Sequence, residues 1–569
     1  MTLNRSIAPA EASLAIKSLG PLRKRTNWLG LVAVCLAIVL IAPVAWVASS
    51  IFAQDQGTLA HLAETVLSSY ISNTLLLVLG VGVGVLIIGT PTAWLVTMCE
   101  FPGRRLFEWA LIMPLAVPAY IIAYAYTDVL SHPGIVQSTL RDVTGWGPRD
   151  YWFPNIRSLG GAMVMFILVL YPYVYLLART AFLEQSNCYS EVSRTLGRTA
   201  FQSFREISLP LARPALAGGV SLALMETLAD FGTVAHFGVH TFTTGIYQAW
   251  LSMDDLVAAG QLATMLLAVV LTLVVIERAE RRRASYHHSR RMGDLLRTRL
   301  YGKYAWLATL TCLLPVLFGF ILPIVILVNL SIVDGHNLFS ERYATLIKNS
   351  LSLAFLAALA AITPALILAY ALRLAPGLLS RFAGRLVSLG YAVPGSVIAV
   401  GILMPLAAFD NAVSAFLEAT FGISTGLLLT GSVAALVFAY TVRFMAVALT
   451  TVEASLTKIP GSMDDASRTL GETQIGTLRR VHVPLLSGGL LTAGLLVFVD
   501  VMKELPATLI LRPFNYDTLA VQAYRLASDE RLAQASTPSL VLVAVGLVPV
   551  IILSRRIMTT RVGRRISSD

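Results

Sequence analysis

The chain has 569 residues, of which 56% are hydrophobic and 13% are charged. Because about a quarter of the residues of a water-soluble globular protein are charged, this composition excludes that class and indicates a polytopic membrane protein. The net charge of +11 does not indicate a nucleic-acid partner, since the basic residues lie in short segments between apolar stretches, as orientation in a lipid bilayer requires.

Twelve apolar stretches are long enough to be membrane helices, and they predict an all-α protein with about twelve transmembrane helices. A segment predicted to be cytoplasmic, residues 1–27, precedes the first stretch. That stretch is longer than the apolar region of a signal peptide, about 7 to 15 residues, so we interpret it as a retained span. The predicted spans are 28–50, 72–98, 107–130, 159–178, 214–236, 257–276, 304–331, 350–372, 385–408, 428–452, 485–505 and 538–554.

The distribution of lysine and arginine predicts how the chain crosses the membrane. Alternate loops are rich in cations, whereas the loop 409–427 has none, so the positive-inside rule places both termini in the cytoplasm. A basic linker, 277–303, separates a first half, 28–276, from a second half, 304–556, and a cytoplasmic tail, 557–569, follows. A solvated connector is the favoured role of the linker, and a lipid-binding or regulatory role is the alternative.

The two halves are repeats of one another. Glu191-Val-Ser-Arg-Thr-Leu-Gly197 in the first half returns as Asp465-Ala-Ser-Arg-Thr-Leu-Gly471 in the second, and the separation of the two glycines defines a sequence offset between the copies. Ala116-Val-Pro118 likewise corresponds to Ala392-Val-Pro394. An even number of spans separates the copies, so we expect parallel repeats related by a pseudo-two-fold axis along the membrane normal, with a pathway at their interface.

Each duplicated loop has the composition of a helix, a glycine break and a second helix. Glycine can adopt the backbone conformation that ends the first helix. Pro210 and Pro484, related by the same offset as the glycines, stand at the entrance of the next span, where a missing N–H group costs little. Such an element, lying across the membrane face, would be a rigid knob for another protein to push or pull. An ordinary interhelical loop is the alternative, which the duplication makes less favourable.

Four acidic residues are predicted to lie within the membrane. Glu226 and Asp230 lie one helical turn apart on one face of the fifth span, and Asp500 and Glu504 repeat them in the eleventh at the offset of the glycines. Carboxylates in a membrane are costly and usually face a cavity or a partner. They would either line a translocation pathway or gate for a hard cation, which prefers oxygen ligands, or bond to one another or to Lys503 and tie the halves together.

The duplicated loops resemble the coupling motif of the type I ABC-importer permeases, in which an acidic residue, small residues and a glycine precede an aliphatic–X–aliphatic–Pro ending. The resemblance implies a type I permease fold with cores at about 70–276 and 346–555, and loops that dock onto two copies of a cytoplasmic ABC ATPase subunit. The implied coupling residues are Glu191, Gly197, Ile207, Leu209 and Pro210 in the first loop and Asp465, Ala466, Gly471, Val481, Val483 and Pro484 in the second.

Two further segments are similar to the fused two-domain permeases of ferric-iron uptake systems. They are Glu226-Thr-Leu-Ala-Asp-Phe-Gly232 and Lys503-Glu-Leu-Pro-Ala-Thr-Leu-Ile-Leu-Arg-Pro513. This resemblance implies a multi-pass permease of the bacterial inner membrane that receives ferric iron from a periplasmic ferric-iron-binding protein. It also implies that ATP and Mg bind to the partner ATPase, so that this chain binds no cofactor of its own. Fused permeases for thiamine or a phosphonate have the same architecture and are the alternative cargo classes.

No enzyme activity is expected of the chain itself. The sequence has no Gly-x-x-x-x-Gly-Lys-Ser/Thr motif, the loop that cradles nucleotide phosphates. We interpret Gly80, Gly82 and Gly84 as helix-packing residues rather than a nucleotide-binding fingerprint. His236 and His240 are expected to pack or cap, and no permanently bound metal is predicted. A secondary transporter of six plus six helices, with the four carboxylates binding coupling ions, is the alternative from another functional class.

Overall fold

The computed structural model describes residues 28–54, 56–184, 197, 199–283, 297–334, 340–374 and 377–566, and these are helical over most of their length. The first half of the chain contains helices α1 (Trp28–Ser49), α2 (Thr58–Thr65), α3 (Leu67–Met98), α4 (Arg104–Ala110), α5 (Ala119–Leu130), α6 (Ile135–Thr144), α7 (Leu159–Glu184), α8 (Ala200–Ser203), α9 (Leu209–Ala229), α10 (Gly232–His236), α11 (Phe242–Tyr247) and α12 (Leu256–Arg283).

The second half repeats this order of long and short helices. It contains α13 (Lys303–Val316), α14 (Leu322–Asp334), α15 (Glu341–Leu374), α16 (Leu378–Val387), α17 (Gly395–Phe421), α18 (Val433–Leu456), α19 (Gly461–Thr469), α20 (Gln474–Thr477), α21 (Val483–Met502), α22 (Pro506–Leu511), α23 (Leu519–Ser528) and α24 (Leu532–Ile566). Short 3₁₀ segments are Ser50–Phe52, Met113–Ala116 and Gly390–Ala392, and π-helical segments are Phe204–Ser208, Gln248–Ser252, Leu317–Ile321 and Leu478–His482.

Membrane-spanning helices account for the apolar composition. Within the described residues, eleven helices are long and apolar enough to cross a bilayer, and a bent pair raises the number to twelve. The prediction of an all-α protein with about twelve spans is therefore confirmed.

The third predicted span is not a straight helix. It is broken between Arg104–Ala116 and Ala119–Thr144, which meet at 89°. The cause lies in the dipeptide Val117-Pro118: the residue before a proline is driven out of helical conformation, and Val117 is accordingly extended, with ψ of 117°. The corresponding Val393-Pro394 also starts a new helix, α17, but that helix is long enough to span the membrane alone.

Each half is built around three helices in mutual contact. In the first half α3, α7 and α9 pack together, and in the second half α15, α18 and α21 do so. Both sets occur in the same chain order, as parallel repeats require. Helices α3 and α7 approach closely at the glycines of α3. A Cβ atom added at Gly84 would lie 2.5 Å from Cγ1 of Ile167, whereas one added at Gly80 would meet the flexible end of Met163. This agrees with the predicted packing role of those glycines.

Helices at the periphery connect the halves to each other. The first helix, α1, packs against α16 and α17 of the second half, and the last helix, α24, packs against the segment Met113–Ala116 of the first. At the end of the bundle remote from the duplicated loops, Arg157 donates to both carboxylate oxygens of Glu530, each at 2.7 Å. The halves therefore interlock instead of meeting along a single face.

The end of the basic linker contacts the first half. Thr298–Arg299 pairs in parallel with Cys99–Glu100, forming a two-stranded sheet just after α3. Arg297 also donates to the backbone carbonyl of Thr97, at 3.3 Å. Residues 284–296 of the linker lie outside the described part of the chain.

Candidate functional site

The four predicted intramembrane carboxylates line one cavity. Its volume is about 110 Å³, and its wall includes Glu226 and Asp230 from the first half together with Asp500 and Glu504 from the second. The cavity also contains two cationic side chains, Arg443 and Lys503. Four carboxylates against two cations leave a formal excess of two negative charges, so the cavity has an electrostatic preference for a cation.

The ends of α9 and α21 place these carboxylates differently from the expectation of a continuous helical face. Helix α9 ends at Ala229, one residue before Asp230, and α21 ends at Met502, two residues before Glu504. Each carboxylate instead caps the short helix that follows, α10 or α22. The physical reason is that the first N–H groups of a helix have no intrahelical acceptor and bind an anionic oxygen well.

Glu504 is the most heavily engaged of the four. One oxygen, Oε1, accepts from Arg443 Nη1 at 3.0 Å and from the amide of Ala507 at 2.9 Å. The other, Oε2, accepts from the amide of Thr508 at 3.1 Å and from its hydroxyl at 2.8 Å. The residue is only 5% exposed, so this is a buried and fully paired carboxylate with an evident structural role.

Asp500 forms the contact that the sequence suggested as the structural alternative. Its Oδ1 lies 3.2 Å from Nζ of Lys503, and both side chains are about one quarter exposed, at 26% and 29%. The two carboxylates of the second half are thus each paired with a cation of the same half.

The carboxylates of the first half have neutral partners. Glu226 Oε1 accepts from the hydroxyl of Tyr391 at 2.9 Å, and Asp230 Oδ1 accepts from the amide of Thr233 at 2.8 Å. Within the described residues, neither carboxylate forms a salt bridge. The excess negative charge of the cavity therefore lies on the side of the first half.

The second duplicated loop has the helix–glycine–helix geometry that the sequence predicted, and we call its residues 461–477 the knob. Helix α19 ends at Thr469, just before Gly471, whose φ of +83° is the left-handed conformation that glycine adopts without a steric cost. Asp465 and Ala466 lie on the exposed face of α19, and Leu470 beside them is 84% exposed. Met463 and Ile475 of the same loop are exposed as well, at 41% and 59%, so this loop offers several apolar side chains for contact with another protein.

A buried polar cluster holds this knob against the bundle. Arg373, at the end of α15, donates to Asp464 Oδ2 at 2.9 Å and to the backbone carbonyl of Leu456 at 2.6 Å. His482 Nε2 lies 2.7 Å from Asp464 Oδ1. Because the side chain of Arg373 contacts both α18 and α19, it fixes the orientation of the knob relative to a transmembrane helix.

The entrances to the spans after both loops have the same geometry. The π-helical segments Phe204–Ser208 and Leu478–His482 occupy equivalent positions in the two repeats and lead directly into α9 and α21. Ile207 and Leu209 in the first copy and Val481 and Val483 in the second lie at these junctions, with Pro210 and Pro484 in the first turn of the helix that follows.

The first duplicated loop is only partly described. Glu191 and the residues up to 196 lie outside the described part of the chain. Gly197 has a φ of +73°, close to the value at Gly471. The two glycines at the predicted helix breaks therefore share one backbone conformation.

The two histidines that follow α9 in the chain have structural contacts. His236 Nε2 lies 3.1 Å from Thr127 Oγ1, and its ring meets Tyr124 edge-on with centroids 4.8 Å apart. The carbonyl of His240 accepts from the side-chain amide of Asn73 at 2.9 Å. No cluster of three or more His, Cys, Asp or Glu side chains suited to a metal ion occurs among the residues that the structure describes.

Sequence reasoning missed several contributors to the cavity and the knob. Arg443 is a cation in the middle of the predicted span 428–452, and an ionisable residue at such a position is a recognised signal of function. Tyr120 and Tyr173 also line the cavity, but aromatic residues are too common in membrane helices to stand out. Asp464 immediately precedes the duplicated motif, where no pattern separated it from an exposed acid.

Comparison with known proteins places the chain in a family of transport proteins. The sequence pattern of the family described as "Binding-protein-dependent transport system inner membrane component" matches twice, at residues 86–282 and 361–568. Each match falls in one half, and together they cover more than half of the chain.

Several curated proteins are similar over long stretches. The chain is 27% identical over 553 residues to the Fe(3+)-transport system permease protein FbpB 2 of Haemophilus influenzae, covering 94% of this chain and 99% of that protein. It is 24% identical over 502 residues to the ferric transport system permease protein FbpB of Actinobacillus pleuropneumoniae, covering 84% and 69%. A shorter match, 28% over 198 residues, covers 33% of this chain and 67% of the sulfate transport system permease protein CysT of Salmonella typhimurium.

Among solved structures, the chain matches the crystal structure of a bacterial alginate ABC transporter in complex with an alginate pentasaccharide-bound periplasmic protein. The match has 19% identity, covers 45% of this chain and 96% of that chain, and has a TM-score of 0.35. From the two family matches, the repeated halves and the eleven to twelve apolar helices, the chain belongs to the inner membrane components of binding-protein-dependent transport systems.

Proposed function

We propose that this chain is the permease subunit of an ATP-driven importer that moves ferric iron across the bacterial inner membrane. The observation that carries the proposal is the cavity at the interface of the halves, where carboxylates from both repeats outnumber cations four to two. Ferric iron is a hard cation, and carboxylate oxygen is the ligand that hard cations prefer. The long match to the Fe(3+)-transport permease of Haemophilus influenzae supports the same cargo.

An oxyanion cargo is less well supported, although sulfate and molybdenum permeases are among the relatives. An anion site needs cations that are free to bind it, and both cations of the cavity are already paired with carboxylates, Arg443 with Glu504 and Lys503 with Asp500. Admission of an anion would have to break both pairs and would leave four carboxylates around it. Repulsion between like charges in a medium of low dielectric disfavours that arrangement.

Energy for transport would be supplied by a separate protein. We infer that two copies of a cytoplasmic ABC ATPase, which bind ATP and Mg, dock onto the two duplicated loops. The exposed face of α19 around Asp465, Ala466 and Leu470 supports this role for the second loop. A periplasmic ferric-iron-binding protein would deliver the cargo at the opposite side, both chain termini would be cytoplasmic, and this chain would itself catalyse no reaction.

The proposal is tested by reconstituting the full chain with its ATPase and binding protein in lipid vesicles. Radioactive iron supplied on the binding protein is expected to accumulate only when ATP is available to the ATPase. Vesicles that contain the permease alone test the alternative of a secondary transporter, since uptake driven by an ion gradient without the ATPase would contradict the proposal. Parallel vesicles given sulfate, molybdate, thiamine or a phosphonate test the cargo, and ATP-dependent accumulation of one of these instead of iron would replace it.

A further inference from the structure

We propose that Tyr120, Glu226 and Asp230 form a binding site for a hard trivalent cation on the first-half side of the cavity. The inference rests on the proposed function and deepens it, because it names the ligands and the side of the cavity on which the transported cation binds. Three observations carry it: an unpaired phenol, an uneven distribution of charge, and a match between the charge of the ligands and that of the cation.

The phenol is that of Tyr120. The residue is 4% exposed, it lies at the start of α5 just after the break at Pro118, and it lines the cavity. Its hydroxyl is buried and has no hydrogen-bond partner among the residues that the structure describes. A buried hydroxyl without a partner costs about 1 to 3 kcal/mol, so its retention at a cavity wall points to a ligand that satisfies it. Tyr120 shares the wall of this cavity with Glu226, Asp230 and Glu504.

The charge of the cavity is unevenly distributed between the halves. Arg443 and Lys503 both belong to the second half and neutralise its two carboxylates. At the offset that relates the two repeats, the counterparts of Lys503 and Glu504 are Ala229 and Asp230, so the first half repeats the carboxylate without the cation. An entering cation therefore meets two uncompensated carboxylates, Glu226 and Asp230, and does not have to displace a guanidinium or an ammonium group.

The chemistry of the three ligands suits a trivalent cation. Two carboxylates supply two negative charges, and the phenol supplies a third when its O–H proton is released to water as the metal–oxygen bond forms. A strongly charged cation promotes this loss of a proton from a coordinated group. The cation with its three ligands is then neutral, which limits the cost of placing it within a membrane protein. Because Glu226 also accepts from Tyr391 and Asp230 caps α10, the carboxylates are held in position before the cation arrives.

The experiment uses the purified full chain in detergent, titrated with Fe³⁺ as its nitrilotriacetate chelate. Coordination of a phenolate to Fe³⁺ produces a visible charge-transfer absorption band, and we expect this band in the wild type. Tyr120→Phe should abolish the band and weaken Fe³⁺ binding at least about tenfold, since even the loss of a group that only orients a metal ligand costs about 10- to 100-fold. The matched control is Tyr124→Phe, one turn further along α5. Its phenol is also buried and has no hydrogen-bond partner within the described residues, but Tyr124 does not line the cavity.

The outcomes separate this inference from the transport function. If the wild type shows no charge-transfer band, or if Tyr120→Phe retains the band, the proposed binding site is refuted, even if wild-type vesicles accumulate iron. A band that Tyr120→Phe loses and Tyr124→Phe keeps supports it, and Glu226→Gln should then weaken binding more than Asp500→Asn, its counterpart in the other half. Failure of wild-type vesicles to accumulate iron refutes the proposed function by itself. Gel filtration of each variant identifies any that fails to fold, and for such a variant Tyr120→Trp, which also lacks the hydroxyl, replaces Tyr120→Phe.

Discussion

Replacement of Glu504 by alanine removes the carboxylate that receives the most hydrogen bonds in the cavity. Four bonds are lost at once: one from Arg443, one from the amide of Ala507, and two from the amide and hydroxyl of Thr508. The guanidinium of Arg443 remains buried, with its side chain only 9% exposed. The variant therefore creates a buried cation without its partner at the same time as it removes the cap of α22.

The expected loss in the free energy of unfolding is about 3 to 5 kcal/mol, the range for breaking a buried ion pair by removing one partner. Loss of the helix cap alone would account for about 0.5 to 2 kcal/mol of that. We expect the lower end of the range, because Glu226 and Asp500 line the same cavity and attract the freed guanidinium. The double variant Glu504→Ala/Arg443→Met removes the unpaired charge and should recover part of the loss.

The matched control is Asp500→Asn, which breaks the second ion pair of the same half. Its partners are 26% and 29% exposed, so solvent screens the charges and the expected cost is at most about 1 kcal/mol. Stability is measured by titrating mixed micelles with sodium dodecyl sulfate and following tryptophan fluorescence, with the coupling energy taken from the double-mutant cycle. Equal losses for Glu504→Ala and Asp500→Asn, or no recovery in the double variant, would refute the assignment of Glu504 as a buried structural pair.

Three further predictions concern the knob and the outer end of the bundle. Gly471→Val places a β-branched residue at a φ of +83°, which costs about 1 to 2 kcal/mol. This variant should co-purify with less of the ATPase while its amount in the membrane stays normal. Unchanged co-purification would count against docking of the ATPase on this loop. Arg373→Met removes the hydrogen bonds of Arg373 to Asp464 and to the carbonyl of Leu456 and should speed proteolysis within 461–471, whereas wild-type rates would show that Arg373 does not hold the knob. The hydrogen bond from Arg157 lowers the pKa of Glu530. This exposed pair contributes less than about 1 kcal/mol, and its contribution is present above the ordinary pKa of a glutamate and is lost as the pH falls through the lowered pKa. The difference in melting temperature between wild type and Glu530→Gln should therefore shrink from pH 7 to pH 3, and a constant difference would contradict the assignment.

The internal repeat made much of the site predictable from the sequence. Because a duplication preserves spacing, the offset between Gly197 and Gly471 also related Glu226 to Asp500 and Asp230 to Glu504, and the structure places all four acids around one cavity. The lengths of the apolar stretches were sufficient to predict the number of spans, since a helix needs about twenty residues to cross a bilayer.

The periodicity of the sequence could not predict contacts between distant segments. The pairing of Arg443 with Glu504 joins two different spans, and nothing in either local pattern specifies that they meet. Helix α9 ends at Ala229, and Asp230 then accepts from the amide of Thr233, whereas the sequence alone predicted one continuous span over 214–236. The break at Val117-Pro118 did carry a signal, the conformational restriction before a proline, but apolar length outweighed it in the assignment of the span.

Fusion of the halves into one chain has a consequence for what the cavity can contain. In a homodimer with two-fold symmetry, any residue on one wall recurs on the other, so a cation like Lys503 would always appear twice. A covalent repeat is free of that rule, and here Lys503 faces the cavity while its counterpart is Ala229. The two walls of the cavity could therefore diverge in sequence after the duplication. The wall of the first half has carboxylates without an ion-pair partner among the described residues, and the wall of the second half carries a cation for each of its carboxylates.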